Sequence, residues 1–440
     1  MRSPVRLRAP IVLPCDAACS VLRDAVVDVS AQGRISYCGP VSAAPGSTAP
    51  VRELPGILLP GLVNTHAHSP MTVLRGMGGD LPLMRWLTEV IWPAEARLSP
   101  TDIETGMLLG AVEMLRGGIT TSVEQYFQPE HLVRAIVAAG QRAVVASAIV
   151  DVPGWDWRRQ LDEISARIDV DGLRSGPDER IEFGYGPHSA YTLPPEALTM
   201  VAEAARARGA LVSIHVAESA AEDTKQRDAY GSVPRMLGEL GCYGGRVLAA
   251  HAVHLSDVDI ALFAENGVGV AHCPGSNAKL TSGIARVPEL RAAGVAVGLG
   301  TDGPASNDDL DLWEEMRLSA MLARLSTMDP TVLGASDALL LATRGGAKAL
   351  GRDDIGVLES DRWADLVHVD VDDPAFSAGL DVGDAHLLAN LVWASGTRTV
   401  RDVWVAGEQV VADHEVTTVD RAKVQADAGA VTRRVLSAAG

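Results

Sequence analysis

The sequence predicts a (β/α)8 barrel, the TIM-barrel class of α/β fold, carrying a small β-sandwich built from both ends of the chain. Three observations predict it. Eight short apolar, β-rich runs alternate with helical patterns over roughly 300 central residues. Further β-rich segments flank that region on both sides. His or Asp stands at the same end of six of the eight runs. A doubly wound open sheet is the competing architecture. The repeated strand–helix unit and the flanking β ends favour the barrel.

Residues 5–13, 25–29 and 34–38 read as strands separated by polar or Gly/Pro breaks. The same texture returns at 365–370, 397–403 and 403–411. Residues 1–60 and 361–415 are therefore expected to form the composite sandwich, and 61–360 the barrel. The segment 416–440 is Ala-rich, with helical apolar spacing over 420–436. The eight central runs are 62–63, 119–123, 143–150, 181–185, 211–214, 247–250, 267–271 and 295–299.

Helix signals separate these runs. Ser99 precedes Pro100, a capping residue before a first-turn proline. Pro194-Pro195-Glu196 opens a helix reaching Arg208, with Gly209 as its stop, and Ser256-Asp257 opens another that stops near Gly267. The longest connection, 69–98, holds Trp86 and Trp92 in a chain with only 4% aromatics, and reads as a lid or pocket wall over the barrel mouth.

Composition narrows the function classes. With 47% hydrophobic and 21% charged residues, the 440-residue chain is globular. Its net charge of −18 disfavours a nucleic-acid polymer as partner, while small substrates remain open. The five cysteines are few and scattered, so free thiols in a reducing cytoplasm are expected. No secretory apolar region follows the N-terminus, and no uncharged stretch is long enough to span a bilayer.

The chemistry centres on Gly61-Leu62-Val63-Asn64-Thr65-His66-Ala67-His68. Residues i and i+2 of a strand point the same way, so His66 and His68 can share one target. His188, His215, His251, His272 and Asp302 end other runs, and strand ends converge on one mouth of a barrel. Three imidazoles and a carboxylate, His66, His68, His215 and Asp302, suit one borderline divalent ion, zinc first, with iron or manganese as alternatives. A bridging lysine or carboxylate on strand four would signal two metals, but that strand ends in His188 and the four lysines, Lys225, Lys279, Lys348 and Lys423, sit elsewhere. Glu218, three residues past His215, is the expected general base, and His251 can orient the attacking water. His131, His254, His368 and His386 read as structural. The His-x-Glu with Pro-Cys-x-x-Cys site of cytidine-type deaminases is absent.

These phrases resemble the amidohydrolase superfamily over nearly the whole chain. They include Pro60 to His68, Leu74-Arg75-Gly76, Asp80-Leu81, Trp86-Leu87 and Pro93-Ala94-Glu95. They continue through Gly186-Pro187-His188-Ser189, His215-Val216-Ala217-Glu218, Ala250 to His254, His272 to Asn277 and Gly300 to Asn307. The likeness is strongest to the branch of S-adenosylhomocysteine and methylthioadenosine deaminases, with triazine hydrolases as relatives. It implies a hydrolase of cyclic amidines that attacks the amino-bearing ring carbon and releases ammonia. Glu218 then moves the water proton to the ring nitrogen, and Asp302 helps protonate the departing ammonia. Glu95 would hold ribose hydroxyls, and His188, Trp86 and Ser306 complete the expected substrate contacts. The implied substrate is methylthioadenosine, 5′-deoxyadenosine, adenosine, S-adenosylhomocysteine or another 5′-modified adenosine.

One position departs from the pattern. Relatives can carry a tail-facing arginine where Ser147 stands here, and Arg158 and Arg159 are not obvious replacements. A free-base or triazine hydrolase is the alternative, although Asp302 favours deamination over dechlorination. An inactive scaffold relative is the distant one, and the intact ligand set argues against it. Self-association among relatives leaves a homo-oligomer open.

Overall fold

Barrel strands one to eight are Leu62–Ala67, Ile119–Glu124, Arg142–Ile149, Ile181–Pro187, Leu211–Val216, Arg246–His251, Gly269–His272 and Val297–Leu299 in the computed structural model, which describes residues 2–152 and 154–437. All eight central runs of the sequence are strands, and each neighbouring pair is parallel. The ring closes beyond strand eight, where the Asp302 amide donates to the His66 carbonyl (3.0 Å) and Ala67 bridges Asp302. Val63, Val123, Val144, Leu211, Leu248 and Ala271 belong to a core distinct from the larger one that includes the helices. That is the packing of a filled barrel with an outer helical layer.

The helix boundaries follow their capping chemistry. Ser99 and Asp102 form a reciprocal capping box on Pro100–Arg116, and Ser256 and Asp259 do the same on Asp257–Asn266. Gly209 ends Pro195–Arg208 at φ +64, a left-handed conformation that favours glycine. The connection after strand one is largely helical. A 3-10 turn, Ser69–Leu74, precedes a helical run from Leu83 to Glu95 with a π-helical stretch at Trp86–Ile91. The C-terminal helix Arg421–Ser437 braces this region, since Thr432 donates to the Val73 carbonyl (2.9 Å) and Arg434 pairs with Asp102 (2.5 Å).

The terminal strands form one hydrogen-bonded nine-stranded sheet that joins both ends of the chain. At its middle, Gly56–Pro60 runs parallel to Val5–Val12 and antiparallel to Leu366–Asp370. Leu7, Val27, Ile35, Leu58, Leu366 and Trp404 share a core, so strands from both termini bury one another. The expected strands at 397–403 and 403–411 fall differently. Thr397–Thr399 is a 3-10 turn, and the hairpin Val400–Val405/Glu408–Ala412 turns at Ala406 and Gly407, both at positive φ.

Sheet and barrel are joined by a buried ion pair. Arg142, at the start of strand three, has a fully buried side chain and meets Asp365 at 2.9 and 3.2 Å. Asp365 also accepts from the Ala406 amide (2.6 Å), and the guanidinium lies over Trp363. Among the described residues, no helix is long and apolar enough to cross a membrane.

Candidate metal centre and active site

Four side chains at the C-terminal mouth of the barrel bring their ligand atoms within 4.8 Å of one another: His66, His68, His215 and Asp302. Backbone carbonyls orient two of the rings. His68 Nδ1 donates to the Gln125 carbonyl (2.6 Å), and His215 Nδ1 donates to the His188 carbonyl (2.7 Å). Each bond fixes the tautomer and leaves an Nε2 lone pair. Those two Nε2 atoms face each other at 3.3 Å. Two acceptors at that range repel unless a cation, a metal ion or a proton, lies between them; burial opposes a proton on His68, whereas its contact with Asp302 favours one. Two nitrogens held tetrahedrally at ~2.0–2.1 Å from one zinc would lie about 3.3 Å apart.

The remaining ligands fit the same reading. Neither ring nitrogen of the fully buried His66 has a hydrogen-bond partner, and burial lowers its pKa to about 4. A neutral, unpartnered imidazole is a metal ligand in waiting. Burial likewise holds His215 well below the usual histidine range. Asp302 Oδ1 lies 3.2 Å from His68 Nε2 and 3.6 Å from His66 Nε2. Burial alone would raise the Asp302 pKa, but the His66 and His68 contacts hold it well below the carboxylate range. Its other oxygen accepts from the Ser276 (2.6 Å) and Ser306 (2.8 Å) hydroxyls, which orient the carboxylate.

The catalytic candidates flank this centre. Glu218 is buried, burial raises its pKa, and its Oε1 stands 4.0 Å from His251 Nε2. A carboxyl shifted upward can both take and return a proton near neutral pH. His251 Nδ1 is held by Asn277 Oδ1 (2.9 Å), which leaves Nε2 facing the site. Ala217, His251 and Asp302 all have positive φ, at 51, 68 and 59°. Such backbone conformations cost of order 1–3 kcal/mol each and cluster at functional sites.

A cavity of about 590 Å³ opens from the centre and is lined by His68, His188, His215, Glu218, His251 and Asp302 at its polar end. This volume suits a small-molecule ligand. The match to the amidohydrolase family spans residues 57–410. The chain belongs to the amidohydrolase family. The 5-methylthioadenosine/S-adenosylhomocysteine deaminase of Pelotomaculum thermopropionicum is 41% identical over 428 residues, covering 96% of this chain and 97% of that protein. The 5′-deoxyadenosine deaminase of Methanosarcina mazei is 41% identical over 370 residues, covering 84% of each. A solved adenosine deaminase from Xanthomonas campestris with bound zinc superposes with a TM-score of 0.91 at 36% identity over 99% of both chains.

In this amidohydrolase the structure gathers most residues singled out from the sequence. Trp86, Glu95, His188 and Ser306 all line the cavity. Ser306 does so while donating to Asp302. His188 is kept neutral, its pKa lowered to about 3 by burial, and Ser189 Oγ stands 3.1 Å from its Nδ1. His272 ends strand seven but lies outside the cavity lining, buried and with Nδ1 unpartnered. Ser276 and Asn277, just beyond it, make the contacts to Asp302 and His251 instead. His131, His254 and His368 meet Glu104, the Ser282 carbonyl and Asp402 respectively, away from the centre.

Two buried supports were not legible in the sequence. Tyr126 donates to Glu95 Oε1 at 2.6 Å, fixing that carboxylate toward the cavity. Glu315, on the helix Leu312–Thr327, accepts from the Gly275 amide and from Asn307 Nδ2, both at 2.9 Å. It thereby ties the short helix Pro274–Lys279, which presents Ser276, to the loop that presents Ser306. A Cβ at Gly275 would overlap Asn307 and Glu315, so glycine permits this approach. Gly275 after strand seven and Gly303 after strand eight were the available signals, but nothing local identified the helix residue that meets Gly275.

Proposed function

We propose that this chain is a metal-dependent deaminase of adenosine-type nucleosides. It replaces the purine C6 amino group with oxygen from water, giving the inosine analogue and ammonia. The observation that carries this reading is the four-ligand cluster with Glu218 and His251 beside it at one end of a cavity of about 590 Å³. The deaminases named above support the substrate class. Zinc is the proposed ion, because three imidazoles and one carboxylate suit it and the Xanthomonas structure holds it. When bound, the ion makes hydroxide available at neutral pH by lowering the pKa of water.

The protein residues do the rest. Glu218 takes the water proton and delivers it to the ring nitrogen, so the attacked carbon accepts oxygen without building charge on the ring. His251, fixed by Asn277, hydrogen-bonds the incoming oxygen. Asp302 accepts the second proton and returns it to the amine as the C–N bond breaks. Glu95, held by Tyr126, accepts from ribose hydroxyls, and neutral His188 contacts the substrate. The site is proposed to hold one metal ion and to work in the cytoplasm.

The test is ammonia release from purified protein against adenosine-type nucleosides, adenine, guanine and chlorotriazines. Turnover of nucleosides with formation of the inosine analogue is expected. Turnover of only a free base or a triazine overturns the proposal. Glu95→Ala is expected to lower kcat/KM for nucleosides by about 10–100-fold, the worth of a charge-assisted hydrogen bond. Any residual rate on free adenine should change far less, and equal losses would remove the ribose role.

A further inference from the structure

The chemistry of the cavity's outer end limits what the nucleoside can carry at its 5′ position. An adenosine seated with its amino carbon at the metal centre and its ribose at Glu95 must direct C5′ away from the metal. Beyond Glu95 the wall is a chain of aromatic contacts. Tyr126 bonds Glu95, the Tyr126 and Phe127 rings lie 5.6 Å apart, and Phe127 meets Trp155 at 4.5 Å. Trp155 is 42% exposed, which places it at the rim. Val150 and Val152 line the cavity on the same segment.

Charge sharpens the picture. Among the described residues lining the cavity there is no Lys or Arg, whereas Glu95, Glu218 and Asp302 all line it. The two arginines closest in sequence to this wall are engaged elsewhere. Arg158 pairs with Glu196 and lies over Trp157, and Arg159 pairs with Glu163 on its own helix. Their side chains are 54% and 77% exposed. Ser147 is buried and lies outside the lining, while its neighbour Ala148 contributes to it. Among the described residues, a carboxylate on the substrate tail would lose hydration against Val150, Val152, Phe127 and Trp155, with the amide of Gln128 but no lining Lys or Arg to pair it.

Building on the nucleoside reading above, we infer that this chain selects adenosines with an uncharged, apolar 5′ substituent and rejects those with a zwitterionic amino-acid tail. Phe127 and Trp155 are the residues that set this selectivity. Their π faces suit a methyl or thioether group, and sulfur packs well against aromatic rings.

The holoenzyme tests this with four substrates: 5′-methylthioadenosine, 5′-deoxyadenosine, adenosine and S-adenosylhomocysteine. The first two are expected to exceed the last by at least about 100-fold in kcat/KM, the scale on which a pocket rejects a group it cannot pair. Trp155→Ala should lower the ratio of methylthioadenosine to adenosine about tenfold, and Val152→Arg should raise the ratio of S-adenosylhomocysteine to methylthioadenosine by a similar factor. If S-adenosylhomocysteine is turned over within threefold of methylthioadenosine by the unaltered protein, the inference is wrong and the nucleoside reading stands. If none of the four is deaminated, the nucleoside reading falls and takes the inference with it.

Discussion

Glu218→Gln is expected to lower kcat by about 10²–10⁴-fold while the protein keeps its metal. The amide matches the carboxylate in shape but cannot carry a proton from water to the ring. None of the four ligand side chains changes, and Glu218 is outside that set. The buried position also favours the neutral form of the native side chain, so an uncharged replacement should fold. Metal content by mass spectrometry, read beside steady-state ammonia release, checks the claim. A variant that holds metal and retains full turnover would remove Glu218 as the base. Loss of metal together with activity would show instead that Glu218 helps to build the centre.

The second large effect concerns the ion. Dialysis against a strong chelator should bring turnover to background and lower the melting temperature, with both restored by about one equivalent of Zn²⁺ per chain. The reason lies in the protein alone. His68 and His215 bring their Nε2 atoms within 3.3 Å of each other, and His66 is buried with neither nitrogen bonded. An ion held a thousandfold above its Kd stabilises the folded state by about 4 kcal/mol. Full activity in protein shown to lack divalent metal would overturn the assignment. Restoration requiring two ions per chain would overturn the mononuclear reading.

The barrel and its ligand set were legible because both are local patterns. Strand runs are short and apolar, and His66 and His68 sit two apart on one strand. His215 was found because it closes the apolar run 211–214, and Asp302 because it stands three residues beyond the run 295–299. The same rule overreached at His272, which occupies the equivalent place on strand seven but stays out of the cavity. Alternation along a strand fixes the side a residue takes, and a one-residue difference at the end reverses it. The supports escaped notice for another reason. Tyr126 with Glu95 and Glu315 with Gly275 join residues 31 and 40 positions apart. No periodicity encodes such meetings. The connection after strand one was legible as a wall but not as a helix, because its π-helical stretch breaks the usual apolar spacing.

The Arg142–Asp365 pair settles whether the catalytic ring could live without its appendage. Cutting the chain after residue 360 would remove Asp365 and Trp363 together, leaving the Arg142 guanidinium the carbonyls of Asp178 and Glu179 but no counter-charge. Orphaning one member of such a pair costs about 3–5 kcal/mol, a large share of what holds a domain together. Natural or engineered shuffling of this ring onto another carrier must therefore bring the late-sequence aspartate along. Calorimetry of the intact chain should accordingly record one melting event, not two.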